Sequence, residues 1–167
     1  MMEEERKKLI EEIGELALHY EMKYIGCCQS VLAALQEKLD LKDAGAFKAS
    51  SALAGGITRR GETCGALIAG IMAICQIVGR ESIEDTEQYR KSIVPATEMY
   101  LKFKKEVGHT LCAKIHKILY GKWFRLYKQE DYEAFEAAGG HGPKGCPSVC
   151  SKAAKIAANI ILDLKAG

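Results

Sequence analysis

Apolar residues recur along this chain at intervals of three and four from Leu9 to Leu164, and no sustained alternation of apolar with polar residues interrupts them. That period buries one face of a helix and does not suit a half-buried strand. The fold class is therefore all-α. With 167 residues, 48% of them apolar, the chain can build one core without crosslinks. We expect a single-domain compact bundle of about six to eight helices spanning the whole sequence.

The pattern predicts a first helix from about Glu3 to Tyr24, with Leu9, Ile13, Leu16, Ala17 and Tyr20 inward, and a second from about Cys27 to Lys38 with Val31, Leu32 and Leu35 inward. LKDAGAFKASSALAGG reads as a turn and a short helix ending at Gly55 and Gly56. Thr63 is suited to cap a helix from Cys64 to about Val78, closed by Gly79. Pro95 should start a new helix or kink an old one. A further helix is expected over roughly His109 to Leu119 and a short one near Asp131 to Ala138. The glycine-rich loop GGHGPKG then precedes a last helix from about Pro147 to Leu164.

Several function classes lose support at once. Charges nearly cancel, 24 basic against 22 acidic, so no single-sign field marks a nucleic-acid or membrane-surface binder. The run KWFRLYK has the basic and aromatic make-up of a base-stacking or membrane-interface segment, but it reads better as Trp123 and Phe124 anchoring a core between solvated charges. The longest apolar stretch, Cys64 to Val78, is too short to span a membrane. The opening MMEEERKKLIEE never reaches the apolar run of a signal peptide, which gives the cytoplasm as the expected location. Phosphate-binding loops are absent, and GGITRRG lacks their order.

Seven cysteines remain to be explained, at 27, 28, 64, 75, 112, 146 and 150. An odd number spread this widely does not look like a disulfide framework, and the CxxC and CxxCH signatures of redox disulfides, zinc ribbons and covalent haem are missing. Cys64 and Cys75 share a helical face but stand roughly 16 Å apart along it, so they cannot meet at one ion. Cys75 reads as a core residue. Cys64 lies beside free helix N–H groups and the positive end of a helix dipole, which favour a thiolate, while Gly65, Ala69 and Ala73 make a small-residue face beside it. On local grounds tight packing and a functional thiol are equally good readings, and the same small face could support a homodimer.

Cys146 and Cys150 stand one turn apart at the start of the last helix, a spacing that can share a metal. Of the neighbours Cys27 and Cys28, which diverge by about 100° on a helix, only one can face a given site. His109, Cys112 and His116 fall on one stripe of the predicted sixth segment. Cys28, Cys150, His109 and His116 thus form a second tier of candidate ligands.

Taken together, the segments CCQSVLAAL, ALAGGITRRGETCGALIAG, FKKEVGHTLCAKI and GCPSVCSKAAKIAANIIL resemble the C_GCAxxG_C_C family, named after its widely spaced cysteines. Cys27 aligns with the family's first cysteine and Cys28 with an alanine. Cys64, Gly65 and Ala66 match the central signature, where Ala69 occupies the family glycine position and Gly70 follows one residue late. Cys112 and Cys146 match the third and fourth elements, and Cys150 falls at an ordinarily aliphatic position. The resemblance implies a redox role and a metal or iron-sulfur cluster held by Cys27, Cys64, Cys112 and Cys146, with an unidentified redox partner protein. A similar domain occurs in split-Soret cytochromes, whose haem attachment motif is absent here.

Three readings follow. The cysteines hold an iron-sulfur cluster for electron transfer or redox sensing. Alternatively, they hold zinc as a structural or storage module. In the third, the protein is a metal-free thiol oxidoreductase in which Cys64 attacks and another cysteine resolves. No reaction, donor or acceptor is identified, and the sequence does not say whether the protein is an enzyme.

Overall fold

A computed structural model describes residues 1–167 and is all-helical, with eight helices and no sheet. They are α1 (Glu3–Tyr24), α2 (Cys27–Leu39), α3 (Ala44–Ala49), α4 (Gly65–Val78), α5 (Thr86–Val107), α6 (Cys112–Tyr120), α7 (Gln129–Ala137) and α8 (Cys146–Ala166). None is long and apolar enough to cross a membrane.

The alanine-rich helix α8 is the central element, packed on α1, α2, α4 and α5. Ala153, Ala154, Ala157 and Ala158 are fully buried, and such short side chains let four neighbours approach one helix closely. Ile13 and Ala17 of α1, Val31, Leu32 and Leu35 of α2, Leu67 and Ile74 of α4, and Met99 and Phe103 of α5 fill the rest. Arg6 ties the start of α1 to the far end of α8, donating to the Asn159 carbonyl and side-chain oxygens at 2.9 and 2.7 Å.

A second, smaller cluster of Phe124, Leu126 and Phe135 forms outside this core, with Tyr120, Tyr132 and Cys146 against it. KWFRLYK supplies its centre. Phe124 is the buried anchor expected, whereas Trp123 is only half-buried and packs beside Gly61.

Several local expectations are corrected. The helix expected to end at Gly55 and Gly56 stops at Ala49, where Ser50 turns the chain through short-range bonds to Ala46 and Phe47. Thr63 does not cap α4. It forms an isolated antiparallel bridge with Leu111, and Cys64 takes the flanking position before Gly65. Pro95 lies inside the continuous helix α5, buried and tolerated because its neighbours in the core hold the helix together. α6 begins at Cys112 rather than His109, since the bridge holds Leu111 extended. Cys75 is half-buried, not a core residue.

Candidate functional site

Cys27, Cys64, Cys112 and Cys146 each occupy the N-terminal end of a helix: α2, α4, α6 and α8 respectively. One cavity of about 590 Å³ has all four on its wall, together with Cys150 one turn into α8. Helix dipoles thus point their positive ends toward the same space, an arrangement that favours negative charge there.

Backbone pairing places the first two loops. Thr63 and Leu111 bridge, the Cys64 N–H donates to the Thr110 carbonyl at 2.9 Å, and the Cys112 N–H donates to the Glu62 carbonyl at 2.7 Å. Residues 64 and 112, 48 apart in the chain, are therefore held side by side. The chain reaches this pairing through an unusual turn. Gly55, Gly56, Ile57, Thr58 and Arg59 all have positive φ, between 48° and 69°. Each non-glycine residue there costs about 1–2 kcal/mol. Bonds from Thr58 N–H to Ala52 O (2.8 Å), Gly61 N–H to Gly55 O (3.0 Å) and Glu62 N–H to Gly56 O (3.0 Å) hold it.

Two glycines make room for sulfur. A Cβ on Gly65 would lie 2.6 Å from Cys27 Sγ, and one on Gly56 would lie 2.7 Å from Cys112 Cβ. The small residue after Cys64 is thus explained by the approach of Cys27. The loop before α8 closes the other side: the Cys146 N–H donates to Gly140 O and to the Tyr120 hydroxyl, both at 3.0 Å. That hydroxyl also lies 3.7 Å from Cys146 Sγ.

His116 joins this wall from α6, its Nε2 3.6 Å from Cys112 Sγ and 3.9 Å from Cys146 Sγ. Its ring stacks on Phe135 at 5.0 Å between centroids, and its Nδ1 is buried without a partner. His109 does not join. It lies before α6, where its Nδ1 accepts the Leu111 N–H at 3.0 Å, and it does not line the cavity. Cys28 points away into the apolar core while its neighbour Cys27 faces the cavity. Cys75 on α4 is remote from it.

Two lining residues escaped the sequence reading. Glu21 is 3% exposed and accepts the Ser30 hydroxyl at 2.9 Å. His141 Nδ1 approaches it at 3.7 Å, and neither ring nitrogen of His141 makes a hydrogen bond. Glu21 follows Ile13 and Ala17 at helical spacing, so the inward face of α1 carried the signal. His141 sat in a loop that gave none.

The electrostatics of the thiols are set by burial and by one another. A hydrogen bond with Cys64 and burial push the Cys27 thiol well up, and burial does the same to Cys150. Burial and the neighbouring sulfurs raise Cys112, and burial raises Cys146 to about 12 against the lowering hydrogen bond from Tyr120. Burial lowers His116 to about 4. Without a compensating cation these groups are held as neutral thiols and a neutral imidazole.

The family model described as "Putative redox-active protein (C_GCAxxG_C_C)" matches residues 25–160. The chain belongs to this family. No curated protein and no solved structure matches it. In this C_GCAxxG_C_C member the matched span begins just before Cys27 and contains every cavity thiol, so the redox character named for the family coincides with the only dense grouping of sulfur in the fold.

No group of three or more Cys, His, Asp or Glu side chains is arranged as a ready metal-ion site. The donor set is nonetheless thiol-rich, the cavity is roomy, and His116 leaves an orphaned buried nitrogen beside it. A set of thiol donors around a roomy cavity suits a thiolate-held metal or iron-sulfur group.

Proposed function

We propose that the cavity holds an iron-sulfur cluster on the thiolates of Cys27, Cys64, Cys112 and Cys146 and that the protein passes electrons to or from a redox partner protein. The observation that carries this reading is the convergence of four cysteine-bearing helix N-termini on one cavity. When bound, such a group supplies one-electron redox chemistry.

The chain's own residues do the rest. Gly65 makes room for Cys27 Sγ and Gly56 for Cys112 Cβ, the helix dipoles offset negative charge, and the aromatic wall of Tyr120, Phe124 and Phe135 packs on the Cys146 side. Because burial pushes up the Cys27, Cys112 and Cys146 thiols, loading has to release protons, so it should be favoured by higher pH. All seven cysteines are free, which suits a reducing compartment such as the cytoplasm.

A second reading is favoured by the Cys27–Cys64 thiol contact, with Cys27 Sγ seated against Gly65. There the two thiols would close a disulfide, giving two electrons and two protons to an acceptor disulfide. Iron and sulfide analysis of anaerobically prepared protein tests the choice. The first reading expects a brown protein with both elements, losing them in Cys64→Ser. Colourless protein after reconstitution, with a Cys27–Cys64 disulfide found by mass spectrometry after mild oxidation, would replace it with the second.

A further inference from the structure

Glu21 and His141 are the part of the cavity that ligation by the four cysteines does not use. Glu21 is a buried carboxylate with one conventional hydrogen bond, from Ser30, and no Lys or Arg paired with it. His141 comes from the loop between α7 and α8, its side chain 17% exposed, with its Nδ1 3.7 Å from Glu21 Oε1 and both nitrogens free of hydrogen bonds. An isolated carboxylate at this depth is costly unless something offsets it. A proton on His141 would do so.

We propose that Glu21 and His141 form the proton-accepting pair of the redox site: when an electron enters the cavity, His141 takes up a proton and Glu21 holds it there. This rests on the reading that the cavity is a redox centre. The balance is one electron from a one-electron donor protein and one proton from solvent, which adds to a ring nitrogen of His141. No covalent bond within the protein breaks.

The physical reason is charge. Adding an electron to a dry space already lined by thiolates and a carboxylate is opposed by their combined field, and a nearby proton cancels it. The remaining wall offers no other taker. The four candidate ligand thiols are occupied by ligation, and burial pushes the Cys150 thiol well up. His116 of α6 has no carboxylate beside it and resists a proton, and Tyr132 of α7 and Tyr24 of α1 are phenols. Arg59 from the left-handed turn is the one fixed cation on the wall, and it lies over the Tyr132 ring at 5.0 Å. His141 lines the cavity with both ring nitrogens buried, so its proton passes to solvent through the cavity. It is the proton carrier, and Glu21 is its positioning residue.

Two measurements test this on the full chain. In anaerobic protein containing iron and sulfide, the reduction potential should fall as pH rises, with a limiting slope of about 59 mV per pH unit for one proton per electron. His141→Gln and Glu21→Gln, both checked for unchanged helicity and iron content, should flatten that slope. A pH-independent wild-type potential, or variants that keep the slope, overturns the coupling. In metal-free protein, NMR of the histidine rings should show His141 taking its proton at lower pH in Glu21→Gln than in the wild type, because the opposite charge is gone. An unchanged titration overturns the pair itself. If the chain takes up no iron at all, the electron-transfer reading fails, and the NMR experiment alone decides whether Glu21 and His141 share a proton.

Discussion

Replacing Gly56 with alanine strikes the point where the left-handed turn meets the cysteine site, and both consequences have the same sign. Gly56 has φ +69°, which costs an L residue about 1–2 kcal/mol. The new Cβ would also stand 2.5 and 2.6 Å from the Glu62 backbone N and O and 2.7 Å from Cys112 Cβ. Glu62 cannot retreat alone, because its carbonyl is bonded to the Cys112 N–H at 2.7 Å. Overpacking of this kind adds about 1–3 kcal/mol. The sum, about 2–5 kcal/mol, corresponds to a melting temperature roughly 4–20 °C lower for a chain of this size.

Gly121→Ala separates the two contributions. Gly121 has φ +77° but nothing within 4 Å of an added Cβ, so it should lose only the conformational share, about 1–2 kcal/mol. Thermal melts of metal-free protein followed by circular dichroism compare the variants, and alkylation of Cys112 reports the local displacement. Equal losses in Gly56→Ala and Gly121→Ala, with Cys112 no more reactive, would refute the claim that this glycine exists to admit Cys112.

Further outcomes are expected. Gly65→Ala puts a Cβ 2.6 Å from both Cys27 Sγ and Leu53 O, so it should lower iron retention, measured per mole of protein, while leaving far-ultraviolet dichroism close to wild type. Cys75→Ala, on the same helix but outside the cavity, should retain full iron content and lose at most about 1 kcal/mol in denaturant titrations. In metal-free protein His116 is lowered from 6.5 to about 4 by burial. The unfolded chain therefore binds the extra proton between those values, so stability is complete above about pH 6.5 and falls by roughly 3 kcal/mol as pH drops toward 4. His116→Phe, which can keep the stack on Phe135, should lose less melting temperature than wild type on acidification from about pH 7 to 4, and an identical loss would remove His116 as the source.

Helical periodicity carried most of the fold, because each long helix buries a continuous stripe: Ile13 and Ala17, or Val31, Leu32 and Leu35, lie inward where spacing puts them. The errors cluster where tertiary pairing overrides local preference. Thr63 has the side chain of a cap but is engaged by Leu111, and His109 has helical spacing but precedes an extended residue. Neither partner is visible within a local window. For the site, the family pattern singled out Cys27, Cys64, Cys112 and Cys146, which the fold brings to one cavity. Cys150 stood one turn from a candidate and lines the same wall. Glu21 was legible only as a polar residue on an apolar stripe, and His141 depends on a loop path that no periodicity encodes.

The spread of the cavity thiols along the chain also sets a clock on biosynthesis. Cys146 follows Cys27 by 119 residues, so at about 5–20 residues per second the ribosome takes roughly 6–24 s to supply the last of the four after the first has been made. When Cys64 is made neither α6 nor α8 yet exists, and α8 begins only at the end of the interval. The four-cysteine wall is complete only once the start of α8 has been made, so a cofactor held by all four thiolates would have to be delivered after that point.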